Sequence, residues 1–473
     1  MTTAGHARTL TRCLRGVRVA SAALITLGLA WCCASCSSAA GRVSCPPAAG
    51  RASWSAGVPS ARPSTAAATS PAPASGTQLW ASSLPGAYGG VGAVSPDGST
   101  VFVSGLVQGR LVKAHYETAA YRAATGARLW ASSYVSNEKF PGYPVALAVS
   151  PDGARVYLAT DTISRGQGGI IAYDARTGRQ LWASGYQRKS FGVGVSGLAV
   201  SPDGTTLYLT DGQGWEFAVI AYAAATGKQR WLRYYAGKHG DAESVAVSPD
   251  GKTVYATGSV GSSALTVAYA ATGTLKWVTR YQDPHGLAAG SQIVAGPGGS
   301  VVYVAGKAAN KNGHFDVVTF AYCAATGSRM WADRHYARIT PGLRPAPQIA
   351  VSPGGQQVIV TVPHGNGPPY AIAAYNASTG STRWTRLAPD SYGNPSGLAV
   401  NSHGEVFVGG NRTTAYSVAD GTTLWTASYN RDFPVWGFLS GILGLGGDGT
   451  RLFGTRQAKQ GIRWSIIIVA YRA

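Results

Sequence analysis

Glycine followed four residues later by tryptophan occurs eight times along this chain, and successive tryptophans are 41 to 54 residues apart. A repeat of this length indicates a supersecondary unit that buries its apolar faces by stacking against its neighbours. An Ala-Tyr pair precedes seven of the eight glycines, and an eighth such pair lies at the C-terminal end. The eight copies are Gly76/Trp80, Gly126/Trp130, Gly178/Trp182, Gly227/Trp231, Gly273/Trp277, Gly327/Trp331, Gly380/Trp384 and Gly421/Trp425.

Each copy also contains a Ser-Pro-Asp-Gly turn, or a degenerate form of it, next to an apolar strand. The intact turns contain Asp97, Asp152, Asp203 and Asp250. An aspartate in a turn can accept hydrogen bonds from its own backbone, so we assign these four to turn formation and not to a ring of metal ligands. In the third copy the pattern predicts strands at 195–200, 206–210, 217–222 and 229–235. Four short antiparallel strands per copy predict one blade of a β-propeller.

The two ends of the repeat region predict how the ring closes. The last copy supplies three strands, whereas residues 76–84 form a fourth strand that lacks the first three. Pairing this N-terminal strand with the C-terminal blade completes the ring. The sequence therefore predicts an all-β fold over residues 76–473, an eight-bladed β-propeller of four-stranded antiparallel blades.

Composition agrees with this fold class. The chain has 63 glycines, 25 prolines, only two methionines and 13% charged residues, whereas helices are built largely from Ala, Leu, Glu, Lys and Met. The net charge is +20, but from residue 76 onward 33 basic and 20 acidic residues are scattered without a long run of one sign. We interpret this charge as a solvated surface and expect no nucleic-acid partner.

Residues 1–40 have the organisation of a signal peptide, because four arginines precede an apolar run at 19–31. The run is shorter than the ~20 residues that a membrane-spanning helix needs. Two forms of processing stay open. Cleavage after Ala40 follows a small-x-small motif, whereas Cys36 resembles the lipidated cysteine of a bacterial lipoprotein signal, with Cys33 standing where that motif has leucine. Both predict an extracytoplasmic protein, either secreted or attached to the cell membrane as a lipoprotein.

Residues 41–75 are mostly Ala, Pro, Ser, Gly and Thr. Such a segment cannot bury enough apolar surface to offset its ordering entropy, so we expect a disordered tether. Five of the six cysteines lie at or before Cys45, and only Cys323 falls in the repeat region. The sequence therefore predicts a propeller that is stabilised by packing, without an internal disulfide framework.

The repeat resembles the quinoprotein-type (PQQ-like) propeller, whose tryptophan-docking motif is Ala-x-Asp-x-x-x-Gly-x-x-x-Trp. Ala172, Asp174, Gly178 and Trp182 match this motif fully, whereas most other copies keep only the packing residues. The Ser-Pro-Asp-Gly strands are also similar to bacterial surface-propeller repeats of the YVTN type. Both resemblances imply the propeller fold, and they imply little about chemistry because this fold has many functions.

For the enzymes of the quinoprotein family, the resemblance implies a quinone held with calcium by carboxylate and amide ligands, and an additional Asp as base. These enzymes also commonly have an adjacent cysteine pair under the cofactor. The only adjacent pair in this chain is Cys32-Cys33, which lies in the signal. PQQ and calcium are thus cofactors that the resemblance allows but the residues do not support.

The copies differ most in the connections from one blade to the next. In a propeller such connections lie on one face around the central funnel, where ligands commonly bind. Cationic groups beside aromatic ones suit an anionic or carbohydrate-like ligand. The candidate residues of this ligand face are Lys139, Arg188, Lys189, Lys238, His239, His285, Arg338 and Arg431.

The sequence contains no H-x-x-x-H pair and no Gly-x-Ser-x-Gly elbow, the usual linear signs of a metal site or a serine nucleophile. We predict an exported, monomeric, non-catalytic propeller that acts as a binding or scaffolding module at the cell envelope. Its partner would be an envelope protein, a polysaccharide or an anionic small ligand, with membrane contact only through the signal or a lipid anchor. The alternative is a propeller enzyme, either a quinone-dependent dehydrogenase or a lyase or lactonase, with its site in the central funnel.

Overall fold

The computed structural model describes residues 74–473 except 110–111, 137–141, 165–166, 186–193, 213–216, 236–239, 340–345, 364–369, 389–394, 411, 429–440 and 461–462. The described residues all belong to one compact unit, 45–473. They form 32 strands in eight four-stranded antiparallel sheets, arranged as an eight-bladed β-propeller. This arrangement confirms the fold class predicted from the repeat. Within this part of the chain, no helix is long and apolar enough to cross a membrane.

The chain begins its strands with β1 (Gln78–Pro85), which belongs to the last blade, and then builds blades 1 to 4 in order. Blade 1 contains β2 (Ala87–Val94), β3 (Thr100–Gly109), β4 (Val112–Arg122) and β5 (Arg128–Val135). Blade 2 contains β6 (Pro144–Val149), β7 (Arg155–Ser164), β8 (Gln167–Asp174) and β9 (Gln180–Gly185). Blade 3 contains β10 (Val195–Val200), β11 (Thr206–Asp211), β12 (Phe217–Ala223) and β13 (Gln229–Tyr235). Blade 4 contains β14 (Gly240–Val247), β15 (Thr253–Val260), β16 (Ser263–Ala270) and β17 (Leu275–Tyr281).

Blades 5 to 8 repeat the same order. Blade 5 contains β18 (Ala288–Ala295), β19 (Val301–Ala309), β20 (Phe315–Cys323) and β21 (Arg329–Ile339). Blade 6 contains β22 (Ile349–Val351), β23 (Gln357–Val362), β24 (Tyr370–Asn376) and β25 (Thr382–Ala388). Blade 7 contains β26 (Gly397–Val400), β27 (Glu405–Gly409), β28 (Arg412–Ser417) and β29 (Thr423–Ser428). Blade 8 contains β30 (Gly441–Leu445), β31 (Arg451–Gln460) and β32 (Arg463–Arg472), and β1 is its fourth strand.

Blade 8 closes the ring as the sequence predicts. Strand β1 pairs antiparallel with β32, in a register that runs from Gln78 opposite Tyr471 to Pro85 opposite Ser465. The first strand of each blade also contacts the first strands of the two neighbouring blades, which places these strands around the central axis. The two ends of the repeat region are therefore held together by a ladder of backbone hydrogen bonds.

The apolar core is divided into eight layers, each of which lies between two neighbouring blades. The layer between blades 3 and 4, for example, packs Tyr208 and Phe217 against Val254 and Leu265, all at most 2% exposed. Each blade is therefore apolar on both faces. This explains the mostly continuous apolar runs of the second and third strands, in place of an alternating pattern.

Each docking tryptophan packs against the docking glycine of the next blade. The eight glycines have φ between 69° and 89°, and a methyl group built on any of them would lie 2.4 to 2.9 Å from an indole atom. Seven of the indole Nε1 atoms also donate a hydrogen bond of 2.8 to 3.2 Å to a backbone carbonyl of that next blade. The eighth, in Trp425, has no partner for Nε1 among the described residues. Each copy of the repeat in the sequence therefore contributes one joint between two neighbouring blades.

The intact Ser-Pro-Asp-Gly turns form closed local hydrogen-bond networks. In blade 3, Ser201 Oγ donates to Asp203 at 2.5 Å, and the backbone N–H of Thr205 donates to the same carboxylate at 3.0 Å. These hydrogen bonds lower the pKa of Asp203, and the equivalent aspartates in blades 1, 2 and 4 show the same direction for the same main cause. The assignment of these aspartates to turn formation is confirmed.

The structure departs in one respect from the prediction that the propeller is stabilised by packing alone. Cys323, at the end of β20, is 3% exposed and disulfide-bonded. It is the only cysteine among the described residues, so its partner lies outside them. The remaining stabilisation comes from the eight core layers.

Candidate functional site

The topology gathers two kinds of connection at one end of the propeller. Because the four strands of a blade alternate in direction, the turn between second and third strands and the connection to the next blade lie at the same end, here called the connection face. Two candidate ligand residues, His285 and Arg338, are described and lie at this end. The other predicted positions lie outside the described residues: Cys36, Lys139, Arg188, Lys189, Lys238, His239 and Arg431.

The connection from blade 4 to blade 5 is a tight turn organised by Asp283. Its carboxylate accepts the backbone N–H of His285 at 2.9 Å, and its carbonyl accepts the N–H of Gly286 at 3.2 Å. Asp283 is 3% exposed, whereas the side chains of His285 and Leu287 face solvent, with Leu287 55% exposed. The turn thus buries its organising carboxylate and presents an imidazole and an aliphatic side chain.

Arg334 on β21 attaches this turn to blade 5. Its guanidinium forms an ion pair with Asp283 and a second one of 3.3 Å with Asp316, which is 4% exposed. The same group donates to the carbonyl of Ala309 at 3.2 Å, and Tyr281 Oη donates to Asp283 at 2.7 Å. Burial lowers the pKa of Arg334, but Tyr281 and the two carboxylates raise it by more. A single cation therefore stabilises two buried carboxylates from different elements.

The connection between β19 and β20 is fixed to the same cluster through Asn310. Its amide Nδ2 donates to Asp316 at 2.9 Å, while its Oδ1 accepts the backbone N–H groups of Asn312 and His314 at 3.0 and 3.2 Å. The side chain of Asn310 is 8% exposed, so these hydrogen bonds are shielded from water. Both neighbouring connections thus share one hydrogen-bonded base, the Arg334 cluster, formed by Tyr281, Asp283, Asn310, Asp316 and Arg334.

The end of β21 projects two further side chains from this base. The register with β20 shifts between Phe315 and Val317, and Arg338 takes φ of 50°, the only described residue other than glycine with a positive φ. A left-handed conformation costs an L-residue about 1–2 kcal/mol. Ala337 and Ile339 are buried at the flanks, whereas Tyr336 is 52% exposed and Arg338 is exposed.

Sequence reasoning found part of this site. It placed His285 and Arg338 in blade-to-blade connections of the ligand face, but Arg338 belongs to β21, which runs to Ile339. It missed the role of Arg334 as the clamp and the roles of Asn310 and Asp316. A cation on the fourth strand of a blade has no repeat signature, so no linear signal identified it.

The Arg334 cluster does not fit a calcium-bound quinone. The carboxylates of Asp283 and Asp316 are already occupied by Arg334, Tyr281 and Asn310. Across the described ranges, no group of three or more His, Cys, Asp or Glu side chains could hold a metal ion. This cluster therefore has a structural role. The side chains that a ligand could contact are the exposed ones that the cluster positions: His285, Leu287, Tyr336 and Arg338.

The opposite end, here called the turn face, has shallow grooves that recur between blades. One groove of about 500 Å³ lies between blades 1 and 2, and one of about 440 Å³ lies between blades 4 and 5. Both are lined by the Ser-Pro-Asp-Gly turns or their degenerate forms. Because the same turns form both grooves, we attribute them to the repeat and not to a specific site.

Comparisons with known proteins agree with the fold. A family model described as outer membrane protein assembly factor BamB matches residues 114–351 and 314–455. Among solved structures, BamB from Moraxella catarrhalis is 15% identical with a TM-score of 0.52, and the match covers 84% of this chain and 99% of that chain. A search of curated proteins gives no significant match.

Two other solved structures have the same architecture. The quinohemoprotein alcohol dehydrogenase from Comamonas testosteroni is 16% identical with a TM-score of 0.53, covering 83% of this chain and 76% of that chain. Sqt1 from Saccharomyces cerevisiae is 12% identical with a TM-score of 0.57, covering 85% of this chain and 100% of that chain. At such low identities the likeness establishes the fold alone.

Proposed function

The chain belongs to the propeller family whose model is described as outer membrane protein assembly factor BamB, and from this membership we propose that it is a non-catalytic binding module at the cell envelope. Its partner is a protein that contacts the connection face at blades 4 and 5. The single observation that carries this proposal is the exposed set of His285, Leu287, Tyr336 and Arg338 on the rigid Arg334 cluster.

The chemistry of this exposed set suits a protein interface. Interfaces are enriched in aromatic residues and arginine, and the residues that dominate binding energy are often Tyr, Trp and Arg. Tyr336 and Leu287 are 52% and 55% exposed, so they offer apolar area that the propeller itself does not bury. The buried carboxylates beneath this set are engaged by Arg334, Tyr281 and Asn310, so they are not free to act as a catalytic acid or base.

The base of the site also favours binding by a preorganised surface. The connection at 282–287 is held by Arg334, and the connection at 310–314 is held by Asn310. Side chains on such a base lose less conformational entropy when a partner binds, which raises affinity without additional contacts.

Export of the chain is supported by two observations. The first is the organisation of residues 1–40 as a signal peptide, which stays a prediction. The second is the disulfide at Cys323, because disulfides form and persist in oxidising compartments. The family description, an outer membrane assembly factor, is consistent with an envelope location and a protein partner.

The test is site-specific photocrosslinking in the native cell. A photoreactive phenylalanine analogue at Tyr336 should give a discrete protein adduct, and the matched control is the same analogue at Leu424, which is 47% exposed at the turn face of blade 7. A second change, Leu287→Asp, should weaken the Tyr336 adduct. Absence of any adduct at Tyr336, or an equal adduct at Leu424, would overturn the proposal.

A further inference from the structure

The fourth strand of each blade begins at the turn face, directly after the docking glycine. In each of blades 1 to 6 an exposed cation lies within three residues of that glycine. These cations are 48 to 54 residues apart in the sequence, so they form no charge run there, but the repeat brings them all to the outer edge of one face. The set is here called the turn rim: Arg128, Arg179, Lys228, Lys276, Arg329 and Arg383.

No rim cation forms an ion pair with a carboxylate among the described residues, although Lys276 lies near enough to Asp250 to help lower the pKa of that carboxyl. Lys276 donates a hydrogen bond to a hydroxyl, that of Thr253, at 2.9 Å. The aspartates of the Ser-Pro-Asp-Gly turns lie between the first and second strands, nearer the axis, where they bind their own turns. The rim is therefore an arc of accessible positive charge.

Aliphatic side chains alternate with these cations on the same edge. Leu129, Leu275 and Met330 are 45%, 49% and 41% exposed. Each is the direct neighbour in sequence of a rim cation, in blades 1, 4 and 5 respectively. Cationic and aliphatic groups on one surface are the combination that binds an anionic bilayer, where the cations meet headgroups and the aliphatic groups enter the interface.

The N-terminal segment joins the propeller at this edge as well. The backbone N–H of Gly76 donates to the carbonyl of Arg472 at 2.8 Å, and Ser75 Oγ donates to the carbonyl of Ala473 at 3.4 Å. Ala74 therefore enters at the turn-face end of blade 8.

We propose that the turn rim docks on the surface of an anionic phospholipid bilayer. This goes beyond the proposed function, because it concerns a second surface on the opposite face and does not depend on any protein partner. The proposal extends the membrane contact expected from the sequence, which was limited to the signal or a lipid anchor. Nucleic acid would also attract the cations, but it offers no interface for the exposed aliphatic side chains. Docked in this way, the propeller turns its connection face away from the membrane.

The test uses the full chain and sedimentation with two kinds of vesicle. One kind is phosphatidylcholine alone, and in the other about a third is phosphatidylglycerol, which supplies the negative surface potential. The N-terminal apolar run is present in all samples, so only the difference between the vesicles reports on the rim. We expect tighter binding to the anionic vesicles, with the difference lost at about 1 M salt, where the Debye length is about 3 Å.

Two double variants separate the position of the charge from its amount. Lys276→Gln with Arg329→Gln removes two rim cations, whereas Arg280→Gln with Lys311→Gln removes two exposed cations of the same blades away from the turn face. At about fivefold per cation near an anionic surface, the first variant should bind anionic vesicles about twenty-five-fold more weakly. The second should bind within about twofold of the parent. Circular dichroism and the thermal midpoint check that both variants are folded.

Three results would overturn the proposal. One is an equal loss in both double variants, because net charge alone would then explain binding. Another is no preference for the anionic vesicles in the parent chain. The third is tighter binding to duplex DNA than to the anionic vesicles, with the same dependence on the rim cations. A further change, Leu129→Ser with Met330→Ser, should weaken vesicle binding severalfold while the rim charge is unchanged.

Discussion

Replacing Gly178 with alanine tests the inter-blade joint at a single methyl group. Gly178 has φ of 73°, and an added Cβ would lie 2.5 Å from Cε3 and 2.6 Å from Cδ2 of Trp130. Those atoms belong to a rigid ring that also donates through Nε1 to the carbonyl of Ala175 at 2.9 Å. The indole therefore cannot move away without breaking its own hydrogen bond.

The magnitude follows from two costs. A residue other than glycine in the left-handed region costs about 1–2 kcal/mol, and overpacking a close-packed site costs about 1–3 kcal/mol. Gly178→Ala should thus lower the free energy of unfolding by about 2–5 kcal/mol. Because alanine also lowers the conformational entropy of the unfolded chain, it offsets about 0.4–1 kcal/mol of this loss of stability.

Gly313 provides the matched control. Its φ is 75°, and an added Cβ would meet nothing within 4 Å. Gly313→Ala therefore places alanine in the same left-handed conformation and restricts the unfolded chain in the same way, but its added methyl group clashes with no atom. Equilibrium unfolding in urea, followed by tryptophan fluorescence, should show Gly178→Ala less stable than Gly313→Ala by about 1–3 kcal/mol. Equal stability of the two variants would refute the docking account.

Three further predictions concern the clamp, the turns and the closure. Arg334→Gln leaves two buried carboxylates without their cation and should cost about 3 kcal/mol in the same urea assay, with Arg334→Lys costing less. Asp203 has a folded-state pKa lowered below 3.8, mainly by Ser201. Its stabilisation is therefore present above that pH and lost as the pH falls through the folded value, so Asp203→Asn should flatten the decline in thermal midpoint below about pH 4. Deleting Gln78–Pro85 should destabilise blade 8 strongly, whereas deleting 46–71, which keeps every cysteine, should change the thermal midpoint little; equal effects would contradict the closure.

Most of the fold could be predicted from the sequence because the residues that form the joint between two blades recur eight times. The docking glycines, the tryptophans and the Ser-Pro-Asp-Gly turns each have one structural role at one place in every blade, so their spacing alone gives strand order and blade number. In the third copy the predicted strands agree with β10 to β13 to within one residue. The closure also followed from counting strands at the two ends.

The site was less accessible because its residues have no repeat signature. Arg334, Asp283 and Asp316 come from three different segments, and only the folded chain brings them into one cluster. The turn rim was missed for a different reason. Its cations do recur with the repeat, but at one to three residues after the docking glycine, so they look scattered in the sequence although the fold aligns them.

The central proposal is that this propeller binds a partner and does not catalyse a reaction, and titration of the full chain with PQQ and calcium tests it most directly. Calorimetry would measure binding, and an alcohol- or sugar-oxidation assay on the same sample would measure turnover. We expect no saturable binding and no turnover, because the carboxylates of the Arg334 cluster and of the intact Ser-Pro-Asp-Gly turns are occupied by structural partners. Saturable binding with turnover would contradict this account and place the chain among the enzymes of its fold.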